Sequence, residues 1–392
     1  MSTKQRIAIF GSTGSVGCAT LNIISKYPNL FKVDLLVCEN NFLKIAHQAN
    51  KFSPKYILVN NKKSLSNINK KNLKANISIL RDYSELEKIF FKKKKFDKVI
   101  LCVSSFSGLK YVFSAIKYSK EILIANKESI ICGGRILLKE AKKHNCKITS
   151  IDSEHYCLSE ILKNEKLSKI NSVYLAASGG PFLNKEKKFY NKSLIKDVIK
   201  HPNWKMGKKI SVDSATMVNK IFEIIEAHVL FNIPFDKIKI KIHKESLIHS
   251  AVILKDGLVK IIMHDTSMII PIRNCLFNQK FNFQKKNFFT NTPDFSLNFN
   301  ESLIKKFEIV HFALKIIKLG HRSWILFNVI NDKLVEKFLK KEIFFYQITK
   351  NLIKIFKNKS IILYCKTKIR NLSDIHNTIN YAEKIFRSHE MH

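Results

Sequence analysis

The first 150 residues alternate short apolar runs with amphipathic stretches, and this alternation limits the possible folds more than any other feature of the chain. The runs RIAIFG and FKVDLLVCE have the length of buried strands, and the stretches SVGCATLNIISKY and FLKIAHQANKF that follow them have helical spacing. Further apolar runs occur at YILV, KVILCV and EILIAN. Strands that alternate with helices form βαβ units around a mostly parallel sheet. The pattern therefore predicts an α/β domain over residues 1–150.

The rest of the chain predicts two further domains. Residues 151–286 mix strand-like runs (SVYLAAS, KIKIKIH, LVKIIMH) with one long helix from about Ser214 to Phe231, which is typical of an α+β domain. Residues 287–304 contain a proline and lack periodicity, so they predict a linker. Apolar residues return at helical spacing from 305 to 392, which predicts a C-terminal helical bundle.

The composition bears on partners and compartment. The net charge of +38 first suggests nucleic acid, but only seven of the 69 basic residues are arginine, the side chain that best reads phosphates and base edges. We therefore expect no specific nucleic-acid partner, although a basic nucleic-acid-binding protein remains the alternative from charge alone. The eight cysteines include no C-x-x-C pair, which indicates reduced thiols in a cytoplasmic protein. No apolar run approaches the roughly 20 residues that span a bilayer, so no membrane association is expected.

A glycine-rich turn follows the first strand and opens the first helix. Its glycines, Gly11, Gly14 and Gly17, fall three residues apart with hydroxyl side chains between them. Glycines allow close approach of a pyrophosphate, and a helix N-terminus supplies N–H donors. An ordinary strand–helix turn is the alternative, but the strand before it and the helix after it favour dinucleotide binding.

Two groups of charged residues indicate a second site. In SIDSEHYC, Asp152 and Glu154 follow a strand, and side chains two apart in extended backbone share a face, where two like charges need a cation between them. A solvated acidic loop is the alternative. Further on, Asp213 or Ser214 can cap a helix whose face carries Asn219, Lys220 and Glu223, although an i,i+3 ion pair alone would explain the last two.

The motifs GSTGSVG, LIANKES, DSEH, SGGPF, HPNWKMGKKISVDSATMVNK with EIIEA, and IHKESLIHSAV occur in the order and near the spacing of the 1-deoxy-D-xylulose-5-phosphate reductoisomerases. The resemblance is strong from residue 5 to about 260 and faint in the C-terminal third. It implies a Rossmann-like NADPH-binding domain and a homodimer. It also implies a metal-dependent conversion of 1-deoxy-D-xylulose 5-phosphate to 2-C-methyl-D-erythritol 4-phosphate, in the methylerythritol phosphate pathway of isoprenoid precursor synthesis. A simple NAD(P)-dependent dehydrogenase of a small phosphorylated substrate is the alternative, but it leaves the acidic residues without a role.

The resemblance also implies roles for individual residues. Three carboxylates hold Mg²⁺ or Mn²⁺: Asp152, Glu154 and Glu223. Lys127 and His201 join them as catalytic residues, and these two and Ser153 contact the hydroxyls and carbon backbone of the sugar phosphate. The substrate phosphate is held by Ser178, Ser214, Asn219 and Lys220, and Trp204 covers the substrate from a lid that spans residues 201–207. The cofactor-contacting positions are Thr13, Gly14, Ser15, Val16, Asn126, Glu128 and Gly207.

One departure from the family pattern concerns the cofactor. The end of the second strand reads Glu39, Asn40 and Asn41 where the family usually has Gly-Lys-Asn. We assign all three to the cofactor site, but a carboxylate repels the 2′-phosphate of NADPH and accepts bonds from the ribose hydroxyl of NADH. We therefore expect NADPH to be used with weaker discrimination against NADH than the family pattern gives.

Overall fold

The structure is a computed structural model that describes residues 4–61, 73–74, 76–90, 95–183, 190, 193–204, 206–278 and 296–390. Residues 287–295 of the predicted linker and Lys205 of the predicted lid lie outside the described residues. The chain divides into two compact units. The first comprises Met1–Ser129, Leu137–Asp152 and Met268–Phe281, and the second comprises Ile130–Ile136, Ser153–Ser267 and Asn282–His392. The predicted boundaries at 150, 286 and 304 stay predictions.

The described secondary structure follows the alternation predicted from sequence. The strands are β1 (Gln5–Phe10), β2 (Phe31–Cys38), β3 (Tyr56–Val59), β4 (Ser78–Leu80), β5 (Phe96–Leu101), β6 (Ser119–Ile124), β7 (Lys147–Ser150), β8 (Ile170–Ala177), β9 (Ile238–Ile242), β10 (Ile248–Leu254) and β11 (Val259–Met263). The helices are α1 (Ser15–Ser25), α2 (Phe42–Phe52), α3 (Tyr83–Phe90), α4 (Leu109–Tyr118), α5 (Lys127–Lys143), α6 (Ser153–Leu162), α7 (Ile195–Val198), α8 (Lys208–Thr216), α9 (Val218–Phe231), α10 (Ile269–Phe277), α11 (Glu308–Ile316), α12 (His321–Leu339), α13 (Phe345–Phe356), α14 (Lys359–Cys365) and α15 (Leu372–Glu390).

The first unit is built on a parallel sheet. Its described strands have the order β4-β3-β2-β1-β5-β6-β7, and every pairing is parallel. The strand β1 lies between β2 and β5, so the chain order reverses beside it, and ligands of such sheets bind at the carboxyl end of the strands at this point. Four consecutive residues of β1, from Ile7 to Phe10, are almost completely buried. The predicted Rossmann-like α/β fold is confirmed.

The helix α10 belongs to this first unit, although in the chain it follows most of the residues of the second. Tyr27, which follows α1, makes an edge-on ring contact with Phe277 of α10, at 4.9 Å between centroids. Lys98 of β5 is only 2% exposed, and its ammonium donates hydrogen bonds to the Cys275 carbonyl at 3.0 Å and to Asn278 Oδ1 at 2.9 Å. These contacts fix the end of α10 on the parallel sheet.

The second unit contains a four-stranded sheet in the order β11-β10-β8-β9. The strand β8 pairs antiparallel with β10 and parallel with β9, so the sheet is mixed, as expected for an α+β domain. Helices α6 and α9 pack against this sheet, and the last helices, α11–α15, form the predicted helical C-terminal region. Within the described ranges, no helix combines the length and the apolar character needed to cross a membrane.

The predicted long helix near Ser214 is in fact two helices. α8 ends at Thr216 and α9 begins at Val218, because Met217 between them has φ +67, a left-handed conformation that interrupts helical hydrogen bonding. The predicted cap at Asp213 or Ser214 is therefore wrong, since both residues lie inside α8, which is capped by Gly207. Asp213 is buried and accepts hydrogen bonds from Lys209 and Asn331 at 2.8 Å each.

Candidate active site

The glycine-rich turn lies at the carboxyl end of β1. Gly11 has φ +90, and a Cβ on Gly17 would lie 2.4 Å from the Gly11 carbonyl oxygen, so α1 can begin this close to the turn only with glycine. Gly14 caps α1 and brings no side chain to its N–H groups. The predicted cofactor residues Thr13, Gly14, Ser15 and Val16 therefore form the end of the turn and the first turn of a helix with donors available for a phosphate.

Helix α2 packs against the same turn with two side chains that the sequence reasoning did not single out. Lys44 Nζ donates to the Thr13 carbonyl at 2.9 Å, and Gln48 Nε2 donates to the Ser12 carbonyl at 2.8 Å. The two residues are four apart and so share one face of α2. Their spacing on an amphipathic helix was visible in the sequence, but the carbonyls they reach were not.

The three predicted cofactor residues after β2 are all exposed. Glu39 Oε2 accepts a hydrogen bond from Asn60 Nδ2 at 2.9 Å, and Asn40 Oδ1 accepts one from Asn61 Nδ2 at 2.8 Å. Asn41 caps α2, because its side chain accepts the Lys44 backbone N–H at 3.0 Å. The carboxylate of Glu39 is thus hydrogen-bonded on the β3 side of this strand end.

The polar cluster after β6 is built around Asn126, the cap of α5. Its side-chain nitrogen donates to the carbonyls of Val103 and Ser105 at 2.9 Å each and to Glu128 Oε2 at 3.1 Å. Both predicted cofactor residues of this cluster, Asn126 and Glu128, are therefore hydrogen-bonded to each other at the carboxyl end of the parallel sheet. Their bonds also brace the loop after β5.

Lys127 and Asp152 form an ion pair at the same end of the sheet. Lys127 is the first residue of α5 and Asp152 follows β7, and Nζ lies 2.7 Å from Oδ2. The lysine side chain is 4% exposed and the aspartate side chain 12%. A pair this buried has an ordered geometry, and both partners are among the predicted catalytic residues.

In the second unit, Lys220 lies between two of the predicted metal ligands. Its Nζ is 2.7 Å from Glu154 Oε1, and it also forms a short ion pair with Glu223 and donates to the Ala176 carbonyl. Glu154 stands in the first turn of α6, whereas Lys220 and Glu223 stand on α9, so the ion pairs link two helices. Carboxylate oxygens of Glu154 and Glu223 lie within 4.8 Å of each other.

The charge of Lys220 is stabilised by this arrangement. Burial disfavours its ammonium form, but the carboxylates of Glu154 and Glu223 outweigh that cost and raise the pKa of Lys220 above its ordinary value. Each of the two acids that flank Ser153 thus has an ammonium against it, Lys127 beside Asp152 and Lys220 beside Glu154. Ser153 Oγ donates to Glu154 Oε2 at 2.5 Å and fixes the second oxygen.

A buried histidine joins the two helices that carry Glu154 and Glu223. His155 is fully buried, and its Nε2 lies 3.0 Å from the Glu223 carbonyl oxygen while its Nδ1 lies 3.5 Å from Glu226. Because His155 is next to Glu154 in the chain, this contact sets the spacing between the two acidic residues. The motif DSEH contains His155 and the motif EIIEA contains Glu223 and Glu226, but nothing in the sequence indicated that they are in contact.

His201 is held as a neutral imidazole. Its Nδ1 accepts the backbone N–H groups of Asn203 and Trp204 at 3.2 and 3.1 Å, so its proton lies on Nε2, which donates to Ser178 Oγ at 2.9 Å. Burial lowers the pKa of His201 to about 4. The predicted substrate residues His201 and Ser178 are therefore in direct contact.

Two glycines after Ser178 allow the turn that carries it to pack close to Ser214. Gly179 and Gly180 have φ of +84 and +65, and a Cβ on Gly180 would lie 3.0 Å from the Ser214 carbonyl oxygen. The turn after β8 therefore packs against the end of α8. Asn219, at the start of α9, donates to Glu223 through its side-chain nitrogen. The four predicted phosphate ligands, Ser178, Ser214, Asn219 and Lys220, thus belong to one neighbourhood of the second unit.

Trp204 is half-buried and packs edge-on against His249, with 5.8 Å between ring centroids. His249 in turn stacks on His264 at 4.0 Å, and burial, followed by the neighbouring His264, lowers the pKa of His249 to about 4. Sequence reasoning missed both histidines, although IHSAV and IIMHD contain them. Gly207, the last residue of the predicted lid, is exposed and begins α8 as its cap.

Comparison with known proteins covers nearly the whole chain. Family models of the 1-deoxy-D-xylulose 5-phosphate reductoisomerase match residues 7–134, and models of its C-terminal domains match residues 148–231 and 263–385. The reductoisomerase of Pelagibacter ubique is 39% identical over 96% of this chain and 97% of its own length. The chain belongs to the 1-deoxy-D-xylulose 5-phosphate reductoisomerase family.

Other reductoisomerases agree with this assignment. The one from Wolbachia pipientis wMel is 34% identical over 97% of this chain and 96% of its own length. A crystal structure of a reductoisomerase in complex with NADPH, fosmidomycin and magnesium superposes with a TM-score of 0.87 at 30% identity, over 98% of each chain. The match to residues 263–385 extends the reductoisomerase likeness into the C-terminal third, where the motifs alone were faint.

The family assignment confirms the predicted reductoisomerase function. It disfavours both alternatives, the simple dehydrogenase and the basic nucleic-acid-binding protein, because the reductoisomerase match includes the region of the acidic residues, 148–231. The roles of the individual site residues stay predictions, which the geometry supports to different degrees.

Proposed function

We propose that this chain converts 1-deoxy-D-xylulose 5-phosphate to 2-C-methyl-D-erythritol 4-phosphate with NADPH and Mg²⁺ or Mn²⁺, in the methylerythritol phosphate pathway. The observation that carries the proposal is the buried group of Glu154, Lys220 and Glu223, which offers both metal ligands and a phosphate-binding cation. Relatives crystallised with NADPH and with magnesium support both cofactors.

Asp152, Glu154 and Glu223 would hold the metal. Glu154 and Glu223 bring carboxylate oxygens within 4.8 Å of each other, and Asp152 lies two residues before Glu154 in the chain. Carboxylate oxygens are the donors that Mg²⁺ and Mn²⁺ prefer. When bound, the metal supplies a Lewis acid that polarises the substrate carbonyl.

The phosphate of the substrate would bind to Lys220, Ser178, Ser214 and Asn219. Lys220 brings a buried ammonium, and the two serines and Asn219 bring neutral hydrogen-bonding groups that lie at the turn after β8 and at the junction of α8 and α9. Binding energy from a phosphate remote from the reacting carbons can hold the substrate in a reactive geometry.

Lys127, Ser153 and His201 would contact the hydroxyls and carbon backbone of the substrate. His201 is neutral, and its backbone N–H partners fix the ring so that Nε2–H points toward Ser178 and can donate a hydrogen bond to a substrate oxygen. Trp204 would cover the substrate from the segment 201–207. The buried ion pair of Lys127 with Asp152 orients the lysine ammonium.

The reaction has two stages. The carbon skeleton of the ketose phosphate rearranges to a branched aldehyde phosphate with the same atoms. NADPH, when bound, would supply the hydride that reduces the aldehyde carbon, and a proton would go to the aldehyde oxygen. Thr13–Val16, Asn126, Glu128 and Gly207 would position the cofactor for the second stage.

We also propose a cytoplasmic homodimer. The strand β11 lies at one edge of the second sheet among the described strands, and Leu258 just before it and Val259 and Ile261 within it are 61%, 55% and 43% exposed. An apolar edge strand is a surface that proteins normally cover. The described cysteines form no disulfide, which suits a reducing compartment. Sedimentation of the wild type and of Ile261→Lys tests the dimer, because a dimer through β11 dissociates in the variant.

The deciding experiment follows NADPH oxidation with 1-deoxy-D-xylulose 5-phosphate, with Mg²⁺ and after chelation, and identifies the product by mass spectrometry. We expect oxidation only with both substrate and metal. Glu223→Gln should lower kcat/KM by about a hundred- to a thousandfold, because it weakens the metal site. Glu160→Gln, on the same helix as Glu154 and ion-paired with Lys163 at 2.6 Å, is the matched control. Metal-independent oxidation, or a product with an unbranched skeleton, would favour the simple dehydrogenase.

A further inference from the structure

The cofactor site lacks a cation at the position where the family pattern has one. Asn40 stands where the family usually has lysine, and the neighbouring Glu39 carries a negative charge. A 2′-phosphate bound at the end of β2 needs a basic partner in such folds. The chain must therefore supply that charge from another element if it is to prefer NADPH.

Helix α2 supplies an ammonium at this place. Lys44 lies in the first turn of α2, three residues after the cap Asn41, and its Nζ reaches the Thr13 carbonyl of the glycine-rich turn at 2.9 Å. In Rossmann-like domains the turn after β1 receives the pyrophosphate and the end of β2 receives the adenosine ribose. Lys44 follows the end of β2 and its exposed ammonium is bonded to the turn after β1, so that ammonium lies near the expected place of the 2′-phosphate.

The surroundings of Lys44 leave its charge available. Its described partner is a backbone carbonyl, which carries no net charge, and the Glu39 carboxylate is hydrogen-bonded to Asn60 instead. Gln48, one turn further along α2, is buried and anchors the helix on the Ser12 carbonyl, so α2 is fixed beside the turn without help from Lys44. Lys44 is thus not required to hold the helix in place.

We propose that Lys44 binds the 2′-phosphate of NADPH and determines the preference for NADPH over NADH in this chain. This inference rests on the proposed function. Lys44 replaces the cation missing at position 40, and it acts against the repulsion by Glu39. A charge-assisted hydrogen bond of this kind contributes roughly ten- to a hundredfold in affinity.

The test measures dissociation constants of NADPH and NADH for the metal-free, substrate-free enzyme by calorimetry, so that its readout is independent of turnover. We expect Lys44→Ala to weaken NADPH binding by about ten- to a hundredfold and to change NADH binding less than about twofold. Lys44→Arg should keep most of the discrimination, because it keeps the charge. Lys51→Ala removes an exposed lysine from the last turn of the same helix and is the matched control.

Two results would overturn the role of Lys44 while leaving the proposed function intact. If Lys44→Ala weakened the binding of NADPH and NADH equally, Lys44 would only support the turn through its bond to the Thr13 carbonyl. Unchanged discrimination in Lys44→Ala, with discrimination present in the wild type, would place the phosphate elsewhere. By contrast, a wild type that binds neither cofactor would contradict the proposed function itself. Adenosine 2′-phosphate, titrated against wild type and Lys44→Ala, reports the phosphate contact without the nicotinamide half of the cofactor. Its binding must be weaker in the variant.

Discussion

Replacing Lys220 by methionine tests the electrostatics of the proposed metal and phosphate site. The substitution keeps a long unbranched side chain but removes the ammonium that lies between Glu154 and Glu223. Lys220 is 4% exposed and Glu223 is 1% exposed, so water cannot take over its role. Two carboxylates are then left within 4.8 Å of each other.

The size of the effect follows from that distance. Two unit charges at this upper limit of 4.8 Å repel by about 3.5 kcal/mol at an effective dielectric constant of about 20, and closer charges repel more strongly. Loss of one partner from a buried ion pair costs roughly 3–5 kcal/mol in other proteins. We therefore expect Lys220→Met to lower the free energy of unfolding by about 3–5 kcal/mol at neutral pH without metal.

A divalent cation should restore part of this loss. The variant presents the same carboxylates without a competing ammonium, so Mg²⁺ should bind it more tightly than it binds the wild type. At a hundred times its dissociation constant, a ligand stabilises the folded state by about 2.7 kcal/mol. The increase in the free energy of unfolding on adding Mg²⁺ should therefore be larger for Lys220→Met, whereas its kcat/KM falls because the phosphate site has lost its cation.

The assay is urea unfolding with and without Mg²⁺, followed by far-ultraviolet circular dichroism. Lys237→Met is the control, because Lys237 Nζ donates to the Ile170 carbonyl at 2.8 Å and its loss removes a hydrogen bond without leaving a carboxylate pair. We expect the control to lower the free energy of unfolding by less than about 1.5 kcal/mol. Lys220→Met as stable as wild type in chelator, or the same Mg²⁺ response in both proteins, would refute the electrostatic reasoning.

Three further predictions test other parts of the site. The pKa of His201 falls from 6.5 to about 4 on folding, so its contribution to stability is complete above pH 6.5 and is lost as the pH falls toward 4. In His201→Gln, the free energy of unfolding should therefore change less with pH over that range. Gly17→Ala places a Cβ 2.4 Å from the Gly11 carbonyl oxygen and should weaken NADPH binding, measured by calorimetry, by at least about tenfold. In a Trp324→Phe background, addition of substrate should change the fluorescence of Trp204, and an unchanged spectrum at saturation would argue against its covering role.

The parallel sheet was predictable because its signal is local. Residues such as Ile7 and Ile9 are buried in an unbroken apolar run, and helices with apolar faces separate one run from the next. The helix break at Met217 was not predictable, because methionine carries no preference for φ +67 and the helical periodicity continues across it. Gly180 packs against the end of α8 just before this break, a tertiary contact that the helical periodicity does not show.

In the site, too, contacts within one helix were predictable from sequence, whereas contacts between elements were not. The spacing of Lys220 and Glu223 indicated an ion pair, and that pair exists, but only the fold brings Glu154 of another helix to the same ammonium. The pattern of residues after β2 similarly indicated a missing cation at Asn40, and no sequence rule pointed from there to Lys44. That side chain becomes a candidate only because α2 packs on the glycine-rich turn and presents its ammonium to the Thr13 carbonyl. Our proposal thus makes cofactor preference a property of the folded site, which residues 39–41 alone do not show.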